Sequence, residues 1–214
     1  MKIYTQNSLT ENDYTDIGKH LSSSGILIYP TETSYAIGAN PLDNAAVKMI
    51  YDIKGRDFTK PLPVLVKNLN MLINIAYVSR QEEDIISKFW PGPLTILFKS
   101  KISGKYFFTS NSEFVGARIS PHPFPEMLFN KIDFPITATS ANISGEDSLT
   151  DFESIKRVSN GFEEKIMLID GGELTGGAST IIRIEKKKVI MVREGDNNTK
   201  ERLVCYMKNK KILQ

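Results

Sequence analysis

The sequence predicts an α/β fold. Short β-rich runs alternate with amphipathic helical stretches. Its 214 residues, 41% of them hydrophobic, suffice to bury a sizeable core. No repeat, low-complexity tract or long linker interrupts the pattern, so one domain over 1–214 is expected.

A helix is expected over 10–22, with Thr10 and Asp13 spaced as a capping box and Tyr14, Ile17 and Leu21 on one face. Gly25 opens the apolar strand Ile26-Leu27-Ile28-Tyr29, and Pro30 begins a polar turn that runs to Gly38. Asp43 caps a second helix, which Gly55 ends. Val64-Leu65-Val66 is a strand. Ser79 and Glu82 form another capping box, and that helix halts at Trp90-Pro91-Gly92-Pro93. Strands follow over 94–99, 114–119 and 135–139, the last marked by its proline as an edge or a first strand position. Thr150 with Glu153 caps a helix finishing near Gly161. A strand over 166–170, a strand pair within 180–193 turning at Lys186-Lys187-Lys188, and a helical tail over about 199–214 complete the chain.

Composition excludes several classes. With 27 basic and 25 acidic side chains the net charge is only +2, so no global field points to nucleic acid. Local clusters at 186–188 and at Lys208, Lys210 and Lys211 read as a solvated turn and a frayed end. One cysteine, Cys205, precludes an internal disulfide, and two histidines make a Cys/His zinc site untenable. Cys205 lies in an apolar-periodic stretch and is expected in the core. The N-terminal residues lack the apolar run of a signal peptide, and no stretch is apolar enough to span a bilayer. A soluble, cytoplasmic protein is expected.

The common phosphate and nucleophile motifs are missing: no G-x-x-x-x-G-K-[ST], no G-x-G-x-x-G after the first strand, no G-x-S-x-G. Phosphate chemistry would need another cradle. Lys54-Gly55-Arg56, continuing to Lys60, concentrates three cations in seven residues at a helix end. A cation there offsets the helix dipole, which explains Lys54 but not Arg56 and Lys60 beyond the glycine. Ser140-Ala141-Asn142 adds neutral donors at a strand end, and cations with neutral donors suit a nucleotide polyphosphate. Pro30-Thr31-Glu32-Thr33-Ser34-Tyr35 leaves the C-terminal end of a strand, where open α/β sheets bind ligands, although its hydroxyls would also serve as backbone caps. Arg118, alone in the apolar run Phe114-Val115-Gly116-Ala117-Arg118-Ile119, needs an anion, either an internal carboxylate or a ligand. Arg193 raises the same question, and four glycines between Asp170 and Thr180 permit close backbone approach.

In order, these segments resemble the YrdC-like family, the threonylcarbamoyl-AMP synthases. Its pattern of P-T-[DE]-T-x-Y, then K-x-R, then S-x-N followed by S-G, reads here as Pro30 to Tyr35, Lys54-Gly55-Arg56, and Ser140-Ala141-Asn142-Ile143-Ser144-Gly145. Trp90-Pro91-Gly92-Pro93-Leu94-Thr95, Arg118, Ser179-Thr180 and Val192-Arg193-Glu194-Gly195 match in the same order, so the likeness covers about residues 25–195. Ala36, Asp57 and Leu65 stand where many members carry glycine, proline and histidine.

The resemblance implies a twisted open mixed sheet with helices around a large concave pocket. It implies the reaction of L-threonine, bicarbonate and ATP to L-threonylcarbamoyl-AMP and pyrophosphate, with Mg²⁺ accompanying ATP. Other proteins would then transfer the threonylcarbamoyl group to position 37 of ANN-decoding tRNAs. Carried over by motif, Lys54 and Arg56 are the catalytic clamp, and Arg56, Lys60, Ser140, Asn142 and Arg193 bind ATP. Thr33, Arg118, Ala138 and Ser179 hold threonine or its carbamate. No protein metal ligand is assigned, although Glu32 is the nearest acid to a nucleotide-bound Mg²⁺. The competing readings are a non-catalytic module gripping tRNA or double-stranded RNA, and a related carbamoyl-type transferase with another substrate.

Overall fold

The computed structural model describes residues 1–145, 154–155, 158, 161–174 and 177–210. Its strands divide between two mixed sheets.

The five-stranded sheet contains β1 (Lys2–Thr5), β2 (Ile26–Pro30), β3 (Tyr35–Gly38), β8 (Thr139–Ser140) and β9 (Ile166–Asp170), in the order β1-β9-β2-β3-β8. The second runs β11-β10-β5-β6-β4-β7, built from β4 (Val64–Leu65), β5 (Leu94–Lys99), β6 (Phe114–Arg118), β7 (Ile136–Thr137), β10 (Thr180–Glu185) and β11 (Lys188–Arg193). The helices are α1 (Glu11–Ser22), α2 (Asn44–Lys54), α3 (Leu69–Ile73), α4 (Arg80–Phe89), α5 (Pro123–Leu128) and α6 (Asn197–Lys210).

Local chemistry sets the helix ends as expected. Thr10 and Asp13 form a reciprocal capping box at α1, and Ser79 and Glu82 form another at α4. Asp43 accepts from the amides of Ala45 and Ala46 at the start of α2, while Gly55 ends it in the left-handed region at φ 54°.

The alternation of side chains along β2 separates two apolar cores. Leu27 and Tyr29 face a layer with Tyr14, Ile17 and Leu21 of α1 and Phe124 and Leu128 of α5. Ile26 and Ile28 face the larger core, which gathers Val47 and Ile50 of α2, Ile85 of α4, Leu203 and Met207 of α6, and Ile96, Ala117 and Ile182 of the six-stranded sheet. The opposite face of that second sheet is thereby left for a ligand.

Three expectations are corrected. The turn after Pro30 ends at Ser34, and Tyr35–Gly38 returns as β3 antiparallel to β2. The single strand expected over 135–139 splits at Ala138: β7 closes an edge of one sheet and β8 an edge of the other. Ala138 marks the crossing, its amide donating to the Pro63 carbonyl at 2.8 Å. Cys205 is exposed, because the buried face of α6 is Thr199, Leu203 and Met207 at four-residue spacing, and position 205 lies across the helix from it. Unforeseen elements are β1, paired in parallel with β9, and the short helices α3 and α5. The helix start expected at Thr150 and Glu153 lies outside the described residues. No helix among the described residues is long and apolar enough to cross a membrane.

Candidate active site

A cavity of about 460 Å³ opens over the second sheet. Strand alternation determines its floor. Thr95 and Leu97 of β5, Phe114, Gly116 and Arg118 of β6, and Ile181 and Arg183 of β10 line it, while Ile96, Ala117 and Ile182 between them point into the core. At β11 the alternation breaks. Ile181 pairs with Arg193 but Ile182 pairs with Met191, so Val192 is an extra residue in the ladder. That bulge lets the neighbours Val192 and Arg193 both face the cavity. The opposite wall comes from the β2–β3 turn, from β8, from Arg56 and Pro61 to Pro63, and from Gly177 to Ser179.

Seven of the residues expected at a site share this cavity: Thr33, Arg56, Arg118, Ala138, Ser140, Ser179 and Arg193. Arg56 donates from Nε to the Lys60 carbonyl at 3.3 Å and from Nη2 to the Pro61 carbonyl at 3.1 Å, which fixes the guanidinium with a main-chain brace. Arg193 clasps Ser179, donating from Nε and Nη2 to its carbonyl at 3.1 and 2.7 Å and from Nη2 to its hydroxyl at 3.0 Å. The Ser179 hydroxyl also meets that of Thr95 at 2.9 Å. Burial presses both guanidinium groups below their ordinary range, and Arg118 adds like-charge repulsion on Arg193. Both remain cations.

Arg118 has an internal carboxylate. Its Nε donates to Glu32 Oε1 at 2.9 Å with both side chains largely buried, and the other Glu32 oxygen accepts from the Ser120 hydroxyl. Glu32 is thus held by Arg118 and Ser120 rather than presented to a metal, and no carboxylate lines the cavity among the described residues. Among the described residues no group of three His, Cys, Asp or Glu side chains could hold an ion.

The Thr31–Ser34 turn does what hydroxyl-rich turns do. Thr31 Oγ1 donates to the Ser34 carbonyl at 2.7 Å and lies 3.0 Å from Thr33 Oγ1. That knot also turns Thr33 and Ser34 toward the cavity.

Three expected site residues stand apart from the lining. Lys54 is buried, and its ammonium donates to the main-chain carbonyls of Ser140 and Asn142, the latter at 2.6 Å. It ties the end of α2 to the wall that carries Ser140. Asn142 is buried behind that wall, its amide donating to the Ile143 carbonyl at 2.9 Å. Lys60 is exposed beyond the Arg56 brace. Of the departures from the family pattern, Ala36 lines the cavity, Leu65 is fully buried, and the Asp57 carboxylate accepts from the Thr59 amide at 2.9 Å.

The sequence reading missed Arg183, Thr95 and the apolar floor at Leu97 and Gly116. Arg183 carried a signal: it shares a strand face with Ile181, two residues away, in a run otherwise filled with isoleucine.

Among the described residues the cavity gathers four arginines, paired hydroxyls and no acid on its lining, which suits a polyanionic ligand. The Sua5/YciO/YrdC family model, described as "Telomere recombination", matches residues 19–195. A Methanocaldococcus jannaschii protein, provisionally named a threonylcarbamoyl-AMP synthase, is 36% identical over 91% of this chain and 92% of its own length. The threonylcarbamoyl-AMP synthase of Pyrococcus abyssi is 36% identical over 79% of this chain, which spans only 50% of that relative. The crystal structure of P. abyssi Sua5 complexed with L-threonine superposes with a TM-score of 0.81 at 29% identity, covering 91% of this chain and 57% of that one. With a model match across most of its length and the motif residues drawn to one cavity, this chain belongs to the Sua5/YciO/YrdC family.

Proposed function

We propose that the chain is an L-threonylcarbamoyladenylate synthase, a nucleotidyltransferase that makes L-threonylcarbamoyl-AMP and pyrophosphate from L-threonine, bicarbonate and ATP. The observation that carries this reading is the convergence of Arg56, Arg118, Ser140, Ser179 and Arg193, from separate stretches of the chain, on one cavity with no lining acid among the described residues. The names of the relatives and the threonine held by P. abyssi Sua5 support it.

In this reading the threonine amine condenses with bicarbonate, releasing water and leaving a carbamate. A carbamate oxygen attacks the α-phosphorus of ATP. An O–P bond forms, the α–β bridging bond breaks, and its electron pair leaves with pyrophosphate. Charge accumulates on phosphate oxygens, so Arg56 and Arg193, fixed beforehand by carbonyl and serine partners, are the electrostatic device. Arg118, with only its Nε engaged by Glu32, presents its terminal amino groups to the threonine carboxylate, and Thr33 and Ser179 supply hydroxyls. A carbamate decomposes in water, so the reaction calls for a cavity that shields it from solvent.

Among the described residues the lining offers Mg²⁺ no carboxylate, so a divalent ion would enter as part of the ATP substrate, held by phosphate oxygens and water. The product would serve threonylcarbamoylation at position 37 of ANN-decoding tRNAs through other proteins, in the cytoplasm. Pyrophosphate release, followed with and without threonine and bicarbonate, tests the proposal. Strict dependence on both is expected, and ATP turnover indifferent to either would remove it.

A further inference from the structure

Strand register lays four cavity residues in one row across the second sheet. Ile181 of β10 pairs with Arg193 of β11 on one side and with Thr95 of β5 on the other. Ala117 pairs with Ile96, which brings Arg118 of β6 level with Thr95. All four residues of the row line the cavity. Neighbouring strands lie about 5 Å apart, so Thr95 stands one strand from Arg118 and two from Arg193. The reading above gives those arginines different ends of the reaction, the amino acid to Arg118 and the phosphates to Arg193. Thr95 sits between them.

Thr95 is 1% exposed, and its hydroxyl meets a single partner among the described residues, the Ser179 hydroxyl at 2.9 Å. A hydroxyl carries one proton and two acceptor sites. The buried Thr95 proton therefore goes to the Ser179 oxygen, since the opposite direction would leave it unpaired. Arg193 Nη2 donates to that same oxygen at 3.0 Å. Both acceptor sites of Ser179 are then taken, and its own proton has no acceptor among the described residues. Ser179 lines the cavity, so that proton is left for a ligand. A serine in this state donates and cannot accept. It favours an anionic oxygen over an ammonium group.

We infer that Thr95 is a positioning residue: by donating to Ser179 it fixes the Ser179 O–H as a donor to the carbamate oxygens, the group that joins the amino acid at Arg118 to the phosphates at Arg193. The assignment rests on the synthase reading above and deepens it. The hydroxyl pair would thereby favour the carboxylated amine over the free amine of the amino acid.

The test is pyrophosphate release by the full chain, read as kcat and KM, for Thr95→Val, Thr95→Ser, Ser179→Ala and the double variant Thr95→Val with Ser179→Ala. Valine keeps the shape of Thr95 and removes the hydroxyl, whereas serine keeps the hydroxyl. Thr95→Val should lower kcat about 5- to 10-fold, within the range for one neutral hydrogen bond, with KM for ATP within about twofold. Thr95→Ala, which removes the hydroxyl without adding a methyl, should behave alike. Thr95→Ser should stay within about twofold of the parent. Ser179→Ala should lose at least as much as Thr95→Val, and adding Thr95→Val to it should change nothing further, because Thr95 acts through that hydroxyl alone. An unchanged rate in Thr95→Val overturns the assignment, and so does a loss that serine fails to restore. A Thr95→Val loss that persists in the Ser179→Ala background also overturns it, since Thr95 would then touch the ligand itself or serve packing. A parent chain whose pyrophosphate release ignores threonine and bicarbonate removes the synthase reading and this assignment together, whereas a dependent parent with an indifferent Thr95→Val removes the assignment alone.

Discussion

Lys54 Nζ donates to the main-chain carbonyl of Asn142 at 2.6 Å, joining two stretches 88 residues apart. The same ammonium reaches the Ser140 carbonyl, so the cation of the K-x-R segment holds the S-x-N segment in place. Lys54→Met removes both bonds and leaves two carbonyls in a buried setting. A stability loss of roughly 1–3 kcal/mol is expected, read by denaturant unfolding. Pyrophosphate release should fall by about 100-fold or more, because the Ser140 wall loses its register with Arg56. Normal turnover in a stably folded variant would show that the tether does not set the site.

The tether also has a pH signature. Burial first, then the neighbouring Arg56, lowers the Lys54 pKa from 10.5 to about 8. Between those two values the unfolded chain keeps a proton that the folded chain has released, so this group makes stability rise with pH there. The neutral amine is nevertheless a weaker donor to Ser140 and Asn142. Turnover should therefore decline through pH about 8 while the unfolding free energy, taken as the difference from Lys54→Met, increases. A wild-type rate that is level across that interval, or an identical decline in Lys54→Met, refutes the account.

In the proposed reaction Glu32 acts on threonine through Arg118, its ion-pair partner. Glu32→Gln keeps an oxygen for Ser120 but removes the charge opposite a buried guanidinium, a change in the class that costs about 3–5 kcal/mol when one partner of a buried pair is lost. The melting temperature should drop accordingly. Steady-state kinetics should show KM for threonine raised about tenfold or more, with KM for ATP within about twofold, since Arg56 and Arg193 do not touch Glu32. Equal changes in both constants would assign Glu32 a general structural role.

Parts of this molecule were legible before the structure because their causes are local. Asp13 three residues after Thr10, and Gly55 after the last turn of α2, are one-dimensional signals of a cap and a stop, and both appear at those positions. The cation and hydroxyl segments could likewise be grouped from the sequence, and Arg56 and Ser140 line one cavity. What escaped depends on pairing across the chain. β3 was hidden because Tyr35-Ala36-Ile37-Gly38 is short and follows a turn of three hydroxyls, and only its ladder with β2 and β8 makes it a strand. The division of 135–139 at Ala138 follows from which neighbour each half finds. Whether Arg118 met a ligand or an internal acid could not be decided without knowing that Glu32, 86 residues earlier, reaches it. Lys54 was expected among the phosphate groups from its place in the K-x-R motif, and its burial behind the wall is a tertiary fact.

Arg193 depends on its fork. It spends two nitrogens on Ser179 and still lines the cavity, a geometry that a single ammonium cannot reproduce. Arg193→Lys should keep the fold and the net charge yet reduce kcat by about 100- to 1000-fold, the range for losing one preorganised donor to developing charge. Full activity in the lysine variant would mean that charge alone, without the guanidinium geometry, serves the reaction.

The last lever on the site lies outside it, at Gly195. A Cβ at this position would come 2.2 Å from the Ala178 carbonyl oxygen, 2.4 Å from the Ser179 carbonyl carbon and 2.4 Å from the Thr180 nitrogen. All three are backbone atoms, and the strand entering at Thr180 is anchored through its amide to the Pro93 carbonyl at 2.9 Å, so the neighbours cannot swing aside as a side chain would. The next residue reinforces the contact, the Asp196 amide donating to the Ala178 carbonyl at 3.0 Å. Gly195→Ala must then push the 178–180 segment away from the chain leaving β11, and with it Ser179, the residue that Arg193 clasps. Overpacking of this kind costs about 1–3 kcal/mol in stability. The larger effect is expected on turnover, about 100-fold, because the hydroxyl and guanidinium at one end of the cavity move together. A crystal structure of the variant should show Ser179 displaced relative to Thr95, breaking their 2.9 Å contact. If Gly195→Ala leaves both that contact and the rate intact, the glycine is needed only for folding and the Ser179–Arg193 clasp is not governed from this side.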